Sequence, residues 1–277
     1  MKYGTLVRIP EGGDIRKACE EKFGKLRETG LEACQLVYKP AVYTEEAADV
    51  IRDCAEEAGI EISAQFCGYY DSLCLWDNYY DHHLAGINSA VFGESRIQYL
   101  LSAVPFMKRL GITDMIIHGG FVSNDPFSQS YTGMLACVRM LGGRLKSEGM
   151  NLLFETGGES PVTLLRLFED SGLDNLYVNL DTANLIMYGY GNPVDAVYTY
   201  GKYVRNMHAK DGFPPTSGRS LGKEVPIGQG YVDFPRVFAE LAKVGYDRYV
   251  IIECEIQGKD HQAEIVKAFD YLRGIAG

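Results

Sequence analysis

No stretch of this 277-residue chain runs for about 18 apolar residues without a charge, so a membrane-spanning helix is excluded. The opening residues, MKYGTLVRIPEGGD, lack the apolar centre of a secretory leader. The 7 cysteines, at positions 19, 34, 54, 67, 74, 137 and 254, include no CxxC pair. Such spacing builds neither a zinc ribbon nor a disulfide framework; it fits reduced thiols and predicts a cytoplasmic protein. Basic residues are in deficit, 27 Lys+Arg against 37 Asp+Glu, a formal charge of −10. An acidic surface repels a phosphate backbone, so no nucleic-acid partner is expected. No GxGxxG follows the first β-prone run, which removes the signature of an open dinucleotide-binding sheet. What is present is a 46% hydrophobic, 23% charged composition, the balance of a soluble globular protein with a sizeable core.

The organising pattern is a repeated joint: an amphipathic stretch, a glycine, then a short β-prone run. Gly30, Gly59, Gly111, Gly149, Gly172, Gly201 and Gly245 each stand before such a run, and KYGTLVRI opens the series. Glycine suits the left-handed residue that ends a helix. Between the joints, TEEAADVIRDCAEEAG spaces Ala47, Val50, Ile51, Cys54 and Ala58 on one helical face. SPVTLLRLFEDSG starts with Ser160 as N-cap and Pro161 at the first helical position. DFPRVFAELAKVG, capped by Asp233, turns Phe234, Val237, Phe238 and Leu241 inward. Eight strands separated by helices must run parallel, and they predict an α/β fold: a single (β/α)8 TIM barrel over residues 1–277. The glycine spacing places long loops after strand 3 (69–94), strand 4 (119–130) and strand 7 (212–232). The first, rich in aromatics, reads equally as a lid over a site or as an interface loop.

Barrel strands are buried on both faces and should be aliphatic. Four consecutive ones instead carry ionisable residues near their carboxyl ends: Glu155 in NLLFET, Asp181 in LYVNLD, His208 in VRNMHAKD and Glu253 in YVIIECEI. Buried carboxylates are costly unless paired or bound to a cation. Local pairs with Lys or Arg are one solution; a single divalent ion shared by all four is the other, and their recurrence at matching positions favours it. An oxygen-rich set with one imidazole suits Mn²⁺ best, with Mg²⁺, Co²⁺ or Zn²⁺ as alternatives. Glu255 shares the face of Glu253, but Glu253 is level with the other three. His118, ending MIIHGG, reads as a substrate contact or a core hydrogen-bonding residue. Glu159 is a candidate polar contact, Arg219 and Lys223 are candidates for an acidic group or are solvated loop charges, and Trp76, with Tyr69 and Tyr70, is a candidate for stacking on the apolar face of a ligand.

FETGGESPVTLLRLFED, VNLDTANLIMYG, VRNMHAKDG and IGQGYVDFPRVFAELAKVGYDRYVIIECE, in that order, resemble the xylose-isomerase-like superfamily of sugar isomerases and epimerases. The resemblance implies a metal-binding barrel with Glu155, Asp181, His208 and Glu253 as ligands. It further implies proton transfer beside a carbonyl through an enediolate, with Glu155 and Glu253 as catalytic base and acid. Lys210 and Asp211 extend a shared His-x-Lys-Asp pattern that shapes the substrate rim or an internal ion pair. Asn184 stands where many sugar epimerases place a substrate-touching histidine, which leaves the substrate and reaction open. The same barrel also serves dehydratases of keto-inositols, abasic-site nucleases and non-catalytic sugar-binding relatives. Too few histidines (5) and the negative charge disfavour the nuclease, and retention of all four ligands disfavours the binding protein. The resemblance implies a small sugar as partner and a homodimer or homotetramer as assembly.

Overall fold

The computed structural model describes residues 1–68 and 84–275. Its centre is a closed barrel of strands β1 (Lys2–Val7), β2 (Ala33–Val37), β3 (Glu61–Cys67), β4 (Asp114–Ile117), β5 (Asn151–Glu155), β6 (Leu176–Asp181), β7 (Val204–Ala209) and β8 (Tyr249–Ile252). Every neighbouring pair is parallel, and β1 closes the ring by pairing Gly4 with both Ala33 of β2 and Ile251 of β8. A Cβ on Gly4 would lie 2.2 Å from the Ala33 carbonyl oxygen, so only glycine fits that seam. The expected (β/α)8 architecture is therefore the observed one. Among the described residues, no helix is long and apolar enough to cross a membrane.

Six of the seven joint glycines adopt positive φ at or just beyond a helix end. Gly201 differs. Its φ is −51°, it opens a 3-10 turn, and a Cβ there would meet Val244 and Val197 at 3.0 and 3.1 Å. Close packing, rather than a left-handed turn, explains that glycine. The helix Glu45–Ala58 buries Ala47, Ile51 and Cys54 as its spacing predicts, packs half-buried Val50 and Ala58 against the same core, and adds Ala48 and Ala55 to the buried face. Pro161 starts the helix Pro161–Ser171, but the Ser160 hydroxyl pairs with Thr163 Oγ1 at 2.9 Å instead of capping a backbone N–H. Asp233 caps its helix by accepting from Arg236 N.

Some of the extra chain length after the strands is helical. The helices Gly93–Leu101 and Val104–Leu110 both lie between β3 and β4, and an antiparallel ribbon, Asp211–Phe213 with Lys223–Val225, follows β7. Inside the barrel, Val37, Ala64, Phe66, Ile116 and Leu153 form an apolar plug, joined by Leu6 and Tyr177. At the amino-terminal end, Asp114 is 2.7 Å from Arg205 Nε and accepts from Asn151 Nδ2 at 2.7 Å. With the middle of the barrel filled by apolar side chains, the ionisable groups at the carboxyl ends share one water-poor mouth.

Candidate metal centre

Glu155 ends β5, Asp181 ends β6 beside its register partner His208 of β7, and Glu253 follows β8, its N–H donating to Ala209 O at 3.1 Å. Each offers one ligand atom, all four atoms lie within 4.8 Å of one another, and all four residues are buried. Glu253, not Glu255, is the strand-8 acid of this cluster; the Glu255 side chain is 58% exposed and its carboxylate lies 2.9 Å from Lys210 Nζ.

Each donor is aimed by a further contact. His208 turns Nδ1 toward Glu155 Oε1 at 2.9 Å and Glu253 Oε2 at 3.3 Å. Its Nε2 is 2.7 Å from Gln35 Oε1, an atom that only accepts, so the ring hydrogen belongs on Nε2 and Nδ1 is left for a ligand. Asp181 Oδ1 accepts the N–H groups of Ala183 and Asn184 at 2.9 and 2.7 Å, while its Oδ2 takes no hydrogen bond. Glu155 Oε2 likewise takes none, although His118 Nε2 is 3.3 Å away. Lys210 Nζ braces Glu253 at 3.0 Å and approaches Asp181 Oδ2 at 3.6 Å.

The electrostatics are those of a cluster that holds protons when no ion is bound. Burial pushes Asp181 up to about 8; Lys210 opposes this, and Glu253 and Glu155 reinforce it. Burial alone would lower His208, but Glu155 and Glu253 beside it raise it to about 10. Burial would raise Glu253, yet Lys210 and His208 hold it well below the usual carboxylate range. Without an ion the cluster thus favours protons on Asp181 and His208, and a divalent cation carries the charge of the two together. Two orphaned carboxylate oxygens, one oriented imidazole nitrogen and a matched charge all fit a divalent ion coordinated by Glu155, Asp181, His208 and Glu253.

The remaining candidates are distributed unevenly around this cluster. His118 and Asn184 line a narrow recess with Glu155, Gly157 and Tyr188. Glu159 is buried but is not among that recess's lining residues. Asp211 points its carboxylate at backbone: Oδ1 accepts from Gly212 and Val232, and Oδ2 from Gly228 and Gly230, at 2.8–3.1 Å. It thus ties down the segment that follows the ribbon. Arg219 and Lys223 are exposed. Trp76, Tyr69 and Tyr70 lie outside the described residues.

Gln35 is the site residue that the sequence reading passed over. Its signal was there: a wholly buried amide in ACQLV, among small and aliphatic neighbours on β2.

The sequence model for xylose isomerase-like TIM barrels matches residues 23–275. The chain belongs to that family. Over 99% of its length it superposes on a xylose isomerase domain protein from Planctomyces limnophilus with a TM-score of 0.86, 26% identity and 96% of that chain covered. A 3-keto-D-glucoside 4-epimerase from E. coli superposes over 99% of both chains with a TM-score of 0.72 and 15% identity, a likeness of fold. Among curated sequences, an inosose dehydratase of Lacticaseibacillus casei is 23% identical over 149 residues. That match covers 48% of each sequence, so the chain spans about half the length of the curated relatives it matches.

Proposed function

We propose that this family member is a divalent-metal-dependent sugar isomerase or epimerase that moves a proton on the carbon beside a carbonyl. The observation that carries the reading is the convergence of Glu155, Asp181, His208 and Glu253 at the carboxyl end of the barrel, with unsatisfied oxygens on Glu155 and Asp181. A bound divalent cation, Mn²⁺ or Mg²⁺, supplies Lewis acidity to the carbonyl and neighbouring hydroxyl oxygens of a sugar. The proton work falls to the two glutamates, which approach the cluster from β5 and β8. One accepts the carbon-bound proton and the other delivers a proton to the opposite face for epimerisation, or to the adjacent carbon for isomerisation.

The neighbours prepare those two groups. His118, beside Glu155 Oε2, steadies the carboxylate that points into the recess, and Asn184 presents its amide to a sugar hydroxyl there. Lys210 fixes Glu253. Glu159, Asp211 and Arg219 act from outside the cluster, by shaping loops or by meeting more distant groups of the substrate.

A dehydratase reading rests on the partial match to inosose dehydratases. It shares the first proton abstraction and differs in expelling a hydroxyl. Incubating metal-loaded protein with ketoses, aldoses and keto-inositols in D₂O tests both. Deuterium beside a carbonyl in a rearranged sugar supports the isomerase or epimerase, whereas loss of water identifies the dehydratase. Glu155→Gln should abolish exchange with the fold intact; exchange retained in that variant removes Glu155 from proton transfer.

A further inference from the structure

A second cavity, of about 410 Å³, opens where β1 and β8 end, between the helices Ile15–Thr29 and His261–Ile275. It has the size of a small-metabolite site. Its lining includes Leu6, which joins the apolar plug inside the barrel, and Val7 and Ile252, which belong to the core between strands and helices. The cavity therefore straddles the top of the barrel wall. Glu253 is common to it and to the ion-binding cluster.

Its charge is unlike that of the protein as a whole. Arg8, Lys22 and Lys25 line it from the β1 end and from the first helix, in a chain of net charge −10. Lys22 and Lys25, three residues apart, share one helical face. Lys25 is paired with Glu21 at 2.7 Å, but neither Arg8 nor Lys22 makes an ion pair among the described residues. The acids in the lining, Glu253 and Glu255, are already met by Lys210 Nζ, at 3.0 and 2.9 Å. Nor are the first N–H groups of the last helix free, because Asp260 Oδ1 accepts from Gln262 and Ala263. Side-chain cations are what the cavity offers to a ligand. A neutral hydroxyl would leave them unmatched, whereas an oxyanion pairs with the Arg8 fork and the Lys22 ammonium together.

We propose that this cavity binds the anionic end of the substrate, a phosphate or carboxylate group on a sugar whose carbonyl end lies at the Glu155–Asp181–His208–Glu253 cluster. The proposal rests on the proton-transfer reading for the position of the carbonyl, but anion binding is testable without it. Chelator-treated, dialysed full-length protein is titrated calorimetrically with inorganic phosphate and, separately, with acetate, alongside the double variant R8A/K22A. Saturable binding of at least one anion is expected, the tighter one identifying the group. The variant should bind about 100-fold more weakly, roughly tenfold for each charge-assisted contact, with an unchanged melting temperature. Absence of saturable binding, or equal binding by the variant, overturns the proposal.

Deuterium exchange with the metal-loaded protein then separates the two readings. Exchange into sugar phosphates or sugar acids, with KM raised in R8A/K22A, supports both. Exchange into neutral ketoses alone, unaffected in R8A/K22A, sinks the anion proposal and leaves proton transfer standing. Anion binding that depends on Arg8 and Lys22, without exchange on any sugar, retains the anion site and sinks proton transfer.

Discussion

Replacing Glu159 with glutamine should make the protein more stable at alkaline pH, because the native fold penalises the charge on this acid. Glu159 is 4% exposed, in the turn between β5 and the helix Pro161–Ser171. Burial pushes its carboxyl from 4.5 up to about 8, only partly offset by the Gly157 N–H. The folded chain thus keeps a proton that the unfolded chain has released, so stability falls as pH rises from 4.5 and levels off above about 8. At about 1.4 kcal/mol per pKa unit, wild type should lose about 3 kcal/mol relative to Glu159→Gln between pH 5 and pH 8. Urea unfolding of both proteins at the two pH values measures the difference, and the other titrating groups cancel because both chains carry them. Parallel stability profiles, separated by a constant amount, would show that Glu159 ionises as freely folded as unfolded and would refute the argument.

Two further substitutions probe the contacts around the cluster. Gln35→Leu removes the acceptor that holds the His208 Nε2 hydrogen; divalent-ion affinity, read by competition with a fluorescent chelator, should fall about 10- to 100-fold, while Gln35→Glu, which keeps an acceptor oxygen, should lose much less. Asp211→Asn turns an NH₂ group toward two of the four backbone N–H donors now bound, costing about 3 kcal/mol in unfolding free energy. Amide exchange should quicken at Gly228 and Gly230, and unchanged protection there would contradict the anchoring role.

The architecture was legible because it is written in local repeats. Helix-ending glycines, alternating strands and caps such as Asp233 depend on neighbours a few residues away. The four cluster residues were legible for a different reason: acids and an imidazole at the ends of otherwise aliphatic strands conflict with burial, and that conflict needs no partner to be named. What stayed hidden are contacts made across the barrel. Gln35 and His208 are 173 residues apart, and nothing in ACQLV says which strand its amide will face. Asp211 sits in the same short motif as His208, so sequence pattern places it at the substrate rim or in an internal ion pair. Its side chain turns instead to the segment Gly228–Val232, a turn that depends on how the chain returns after the ribbon.

The donors are all on one side of the ring. β5 to β8 bring every carboxylate and the imidazole, whereas β2, β3 and β4 bring Gln35, Phe66 and His118, which meet the cluster with an amide and two aromatic rings. Tasks are thereby divided between two arcs of the circle. Mutation on β3 and β4 can reshape what the mouth admits while the four residues proposed to hold an ion stay in place, and a single scaffold can acquire a new clientele without relearning its chemistry.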